Sequence, residues 1–133
     1  GSMRTMANIS DSTFASLIRG PASFGTLIQD LGYPAVPSSQ QPAPGADPYF
    51  TGGYNTRAHG SRSGGTYISG FQIECNYTGV RDSEANRAAF SEAVAQALEA
   101  FFAAQFEVPL APAAVTESAP AWGTAALMGP SGG

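Results

Sequence analysis

At 133 residues the chain is long enough for one domain around one core and too short for two. Ten acidic residues against six arginines and no lysine give a net charge of -4, which repels nucleic-acid phosphates and anionic membrane surfaces. Cys75 is the only cysteine, which excludes an internal disulfide, and no stretch of about 18 apolar residues marks a membrane span.

Gly1-Ser2-Met3 reads as a tag remnant, and residues 1–9 are expected to be a flexible N-terminus. Neither Met3 nor Met6 opens a secretion signal, because Arg4 to Ser12 is polar and interrupted; the expected location is cytoplasmic. Phe14, Leu17 and Ile18 fall at helical spacing within Ser10 to Arg19, with Asp11 or Ser12 to cap the first turn and Gly20-Pro21 to end it. A second short helix is predicted over Ala22 to Leu31, where Phe24, Leu27, Ile28 and Leu31 make one stripe and Gly32 stands just past the end.

Five prolines between Tyr33 and Pro48 exclude regular ladders and predict an extended connector over the domain surface. Tyr49 to Thr56 is then expected as a strand whose Gly52-Gly53 pair allows a bulge or a close approach, followed by a glycine- and serine-rich loop over Ala58 to Gly65. The clearest alternation runs from Tyr67 to Tyr77: Phe71, Ile73, Cys75 and Tyr77 share one side, and Gln72, Glu74 and Asn76 the other. Asp82 or Ser83 caps a long helix reaching about Phe106, with Phe90, Val94, Ala97, Leu98, Phe101 and Phe102 as the apolar stripe that would cover this strand. Residues 107–133 hold too little apolar surface to offset the entropy of ordering them, so a disordered tail is expected. The reading is an α/β or α+β domain over residues 10–106, with two to four strands packed by the long C-terminal helix and two short N-terminal helices.

Two segments carry chemistry. Glu74, beside Gln72 and Asn76, lies on the strand side that the core does not use. Tyr54-Asn55-Thr56-Arg57-Ala58-His59-Gly60-Ser61 gathers an amide, an arginine, the sole histidine and a serine at a glycine-flanked strand end, where binding residues concentrate. Arg57 offers a planar fork suited to a carboxylate, and His59 can move protons or hydrogen-bond a developing oxyanion. A catalytic zinc usually takes three protein ligands, and this chain has one His and one Cys, with His59, Glu74 and Asp82 as the only triad in view. No phosphate-cradling loop and no nucleophile elbow occur.

Gly52-Gly53-Tyr54-Asn55-Thr56-Arg57, His59-Gly60-Ser61 and Ile68-Ser69-Gly70-Phe71-Gln72-Ile73-Glu74 together resemble the C-terminal half of the N-formylglutamate amidohydrolase-like family. Leu17-Ile18-Arg19-Gly20-Pro21, Ser23-Phe24-Gly25 and Gly32-Tyr33-Pro34-Ala35-Val36-Pro37-Ser38 resemble its connecting region, so the likeness spans Phe14 to Phe106. Members resemble zinc carboxypeptidases, a partial phosphorylase/hydrolase-like fold in a chain this short, and hydrolyse amides bearing an acidic group. The resemblance implies Glu74 as general base with His59 nearby, and a substrate site built from Arg57, Asn55, Tyr54 and Gln72, with Arg57 on the substrate carboxylate. The family's metal-binding segments, a Pro-His-Ser-Gly and a later Asp-x-His, have no counterpart here, so zinc is expected only in a complete member and the isolated chain is expected to be inactive. The partners implied are an N-terminal hydrolase half supplied by another chain and an acidic N-acyl amino acid as ligand. The rival expectation is a non-enzymatic interaction protein that forms a homodimer through an exposed sheet edge.

Overall fold

The structure, a computed structural model, describes residues 3–49, 53–60 and 68–110. Among the described residues five α-helices follow one another: α1 (Arg4–Ala7), α2 (Phe14–Arg19), α3 (Phe24–Asp30), α4 (Tyr54–Ala58) and α5 (Glu84–Phe106). Among the described residues there is no strand and no sheet. The expected α/β or α+β fold with two to four strands is therefore corrected to a helical one, in which α3 packs on α5, α2 on α3 and α1 on α2.

The helices that the sequence announces are set by local caps. Thr13 accepts a hydrogen bond from the Ser16 N–H at 3.1 Å and opens α2. Asp11 and Ser12 do not cap it, because Ser12 instead donates its N–H to the Ser10 hydroxyl at 3.0 Å. Ser23 caps α3 by accepting from the Thr26 N–H, and Gly32 follows the helix at φ 96°, a left-handed conformation that suits glycine. Ser83 caps α5 through the Asn86 N–H at 3.0 Å, and Glu84 sets a negative charge against the positive end of the helix.

Burial on α5 follows Ala93, Ala97, Phe101 and Gln105, a strict four-residue step. Alanine at the first two positions lets α3 come close, so Ile28 packs with Ala93 and Ala97 in one cluster. Met3, Leu17 and Phe101 form the second cluster, flanked by Phe14, Phe24, Phe102 and Phe106. Leu17 and Phe101 are each 1% exposed, which stabilises the fold by about 1.5–3 kcal/mol per side chain. Gln105, polar yet buried, donates to the Ala22 carbonyl at 3.0 Å and so ties α5 to the turn between α2 and α3.

Residues 33–49 form no regular element, in keeping with their prolines, but a polar network fastens their first part to α3. Ser38, fully buried, donates to the Gln29 side chain at 2.6 Å and accepts from the Gln41 N–H at 2.9 Å. Thr26 donates its hydroxyl to the Gly20 carbonyl at 2.8 Å and accepts the Ser39 N–H at 2.8 Å. With its single proton spent on Gly20, Thr26 can only accept from the Ser23 hydroxyl, 2.9 Å away. Gly25 sits where a β-carbon would overlap the Pro37 carbonyl oxygen, so α3 and the connector touch backbone to backbone.

Two expected strands do not form. Residues 54–56 of the first belong to α4, and 50–52 lie outside the described residues, as does the expected loop beyond Gly60. The helical turn wins because the Thr56 hydroxyl accepts the Gly53 N–H at 3.0 Å and donates to the Gly53 carbonyl at 3.1 Å. That exchange satisfies the first turn within four residues, whereas a ladder needs a distant partner. Of the second, 68–76 forms no regular element, and Tyr77–Arg81 is a wide turn with Thr78 extended and Gly79 at φ 78°. The α5 stripe does not cover its apolar side as expected. Phe71 instead meets Phe24 of α3, ring centroids 5.1 Å apart, and Ile73 and Tyr77 stay exposed. Residues 111–133, where the tail is expected, lie outside the described residues.

Candidate functional site

A cleft of about 1000 Å³ lies between the α2–α3 pair and the segment 71–76. Its floor is apolar, made by Phe14, Leu17, Ile18, Phe24 and Ile28. Gly25 and residues 33–37 form one wall, and Phe71 to Asn76 the other; Thr56 and Arg57 from α4 also line it, with Met3, Tyr49, Val80 and Phe90. An apolar floor with a few polar groups along one side is the usual construction of a small-molecule site.

The polar side has an internal order. Gln72 donates its side-chain N–H to Glu74 Oε1, which orients the carboxylate along the segment. The Gln72 carboxamide in turn occupies the space that a β-carbon on residue 53 would need, so the absence of a side chain at Gly53 lets α4 approach the segment. Thr56 holds Gly53 in that position through its two hydrogen bonds. Arg57, one residue further along α4, is exposed toward solvent and also borders the cleft.

Of the residues singled out from the sequence, Arg57, Gln72 and Glu74 line this cleft together. Tyr54, Asn55 and His59 are on α4 or at its end but do not line it. Tyr54 is 78% exposed, and His59 follows the last helical residue with its N–H on the Asn55 carbonyl at 2.9 Å. The apolar floor and the 33–37 wall are the parts that sequence reasoning missed as site components. Their side chains read as ordinary core and connector, and nothing local in the sequence marks the close approach of Gly25 to Pro37 that shapes this side.

Zinc, which the resemblance associates with a complete family member, does not fit these residues. Among the described residues no three His, Cys, Asp or Glu side chains come together as a metal-holding group. His59, Glu74 and Asp82 are accordingly not gathered: Glu74 borders the cleft, His59 ends α4, and Asp82 precedes α5 with its carboxylate on Gly79 and Asn86. Those two donors hold the Asp82 carboxyl below its ordinary value, the Asn86 side chain contributing most and the Gly79 N–H next. No helix among the described residues is long and apolar enough to cross a membrane.

The chain was compared with protein-family models, with curated proteins and with solved structures, and none of the three comparisons produced a match.

Proposed function

We propose that this chain is the substrate-binding part of an N-formylglutamate amidohydrolase-like enzyme, able to hold an acidic N-acyl amino acid but dependent on a second chain for catalysis. The observation that carries the reading is the convergence of Arg57, Gln72 and Glu74 on one apolar-floored cleft. Arg57 pairs with the ligand carboxylate through its planar fork. The amide and acyl groups lie over the floor of Phe24 and Ile28, and Gln72 holds Glu74 toward the amide as the group that takes a proton from an attacking water.

Chemistry is incomplete without an electrophile. A positioned general base contributes roughly 10²- to 10⁴-fold, whereas enzymes commonly accelerate by about 10⁶-fold or more. The missing metal-binding segments belong, in this reading, to an N-terminal half carried by another chain. The location proposed with this reading is cytoplasmic.

Calorimetric titration with N-formyl-L-glutamate tests the proposal. Binding is expected for the full chain, with a loss of about tenfold or more for Arg57→Ala and partial recovery for Arg57→Lys, whose point charge lacks the fork. No binding, or binding indifferent to Arg57, rejects the substrate reading. Robust hydrolysis by this polypeptide alone in the presence of zinc rejects the dependence on a second chain.

A further inference from the structure

The cleft has two unlike sides. Its charged and amide side chains, Arg57, Gln72, Glu74 and Asn76, all come from α4 or from residues 71–76. The facing side, which includes Phe14 and Ile18 of α2, Phe24 and Ile28 of α3, Val36, and Phe90 of α5, brings neither a charge nor an amide side chain. Phe14, Ile18, Phe24, Val36 and Phe90 are each only half-buried, so the fold leaves apolar area uncovered there.

Size points the same way. Small-molecule sites that bury most of a drug-sized ligand run from about 300 to 1000 Å³, and this cleft, at about 1000 Å³, stands at the top of that range. A formyl group sets a single carbon against the apolar side. The head of an N-formyl amino acid would occupy the polar side and leave the facing surface wet, where it adds nothing to affinity. Each methylene laid on that surface adds up to about fourfold, the value for full burial.

Resting on the ligand reading above for the placement of the head, we propose that the acyl group taken by this cleft is an apolar chain of roughly six to ten carbons, on the scale of a drug-sized ligand. The amino-acid head lies on the side of Arg57 and Glu74, and the chain lies against Phe24, Val36 and Phe90. The ligand class is then an amphiphilic N-acyl amino acid, and the length of the acyl chain, more than the head, sets the affinity.

Calorimetric titration of the full chain with N-formyl-, N-acetyl-, N-butanoyl-, N-hexanoyl- and N-octanoyl-L-glutamate, all below the concentration at which they form micelles, tests this. The head is constant, so only the chain varies. Affinity is expected to rise about twofold to fourfold per methylene, with a heat-capacity change that grows more negative along the series. A flat series overturns the acyl-chain proposal, and leaves the ligand reading standing if the formyl compound still binds through Arg57. Binding that lengthens with the chain but is indifferent to Arg57→Ala rejects the ligand reading, and this proposal with it.

Val36→Asp, which sets a charge on the apolar side, is expected to cost the octanoyl compound about tenfold more than the formyl one, with helical circular dichroism as the check on folding. An equal effect on both overturns the placement of the chain. The native chain supplies the same answer without a variant. The methyl resonances of Ile18, Ile28 and Val36 are expected to shift with the octanoyl compound and to move little with the formyl one. Shifts confined to Ile9 and Val108, exposed residues that do not line the cleft, would show unspecific adsorption and overturn the proposal.

Discussion

The carboxamide of Gln72 fills the place where residue 53 would carry a β-carbon, so a side chain added at Gly53 would overlap it. Through this contact the short helix α4, which bears Arg57, and the segment 71–76, which bears Glu74, are adjusted to each other. Gly25 stands in a similar relation to Pro37, but there the obstacle is a backbone carbonyl. The two glycines consequently respond differently to the same substitution.

Gly25→Ala is expected to destabilise the chain by about 1–3 kcal/mol, because neither α3 nor the connector backbone can give way without breaking the Ser38 and Thr26 hydrogen bonds. Gly53→Ala is expected to cost about 1 kcal/mol or less, since the Gln72 side chain can swing aside. Its effect is instead on the site: Gln72 leaves Glu74, and the side-chain amide resonances of Gln72 shift. Urea unfolding of both variants, with an amide spectrum of the second, measures the contrast.

Leu17→Ala is expected to cost about 2–5 kcal/mol and Phe101→Ala about 3–5 kcal/mol, since both side chains are fully buried in the cluster that joins α2 to α5. Leu98→Ala, a half-buried position on the same helix, is expected to cost less than either. Denaturation midpoints of the three variants give the ranking, and equal losses would contradict the burial pattern.

Thr26→Val keeps the shape of the side chain and removes three hydrogen bonds at once. The Ser39 N–H then loses its partner and the Gly20 carbonyl keeps only the Ser23 N–H, for an expected loss of about 1–3 kcal/mol. Hydrogen exchange at the Ser39 amide, faster in the variant, locates the effect.

Asp82 ties the α5 N-terminus to the preceding turn, and its carboxyl is held below the ordinary value of 3.8 by the Asn86 side chain and the Gly79 N–H. A depressed folded-state value means that this contribution is complete above the unfolded value and disappears as pH falls through the folded one. The tie therefore loosens only below about pH 4. Asp82→Asn is expected to remove this acid sensitivity, read as exchange of the Gly79 backbone amide and the Asn86 side-chain amide across a titration from neutral pH downward.

The helices α2, α3 and α5 were legible in the sequence because a helix is satisfied by neighbours along the chain. Thr13, Ser23 and Ser83 each supply the cap from one position before the first turn, and the four-residue spacing of apolar side chains declares the buried face. The alternation of Phe71 to Asn76 suggested a strand with a polar and an apolar side, and no strand forms there. It could not determine a sheet, since ladder bonds come from residues far along the chain or on another chain, and none among the described residues provides them. Tyr54 to Ala58 shows the same division: a strand was expected over Tyr49 to Thr56, whereas the Thr56 hydroxyl closing on Gly53 stabilises a helical turn. Arg57, Gln72 and Glu74 were recognisable as chemistry from their types. Their meeting at one cleft, with Phe24 and Ile28 as its floor and His59 away from its lining, was decided by packing between elements, which depends on contacts that no local pattern encodes.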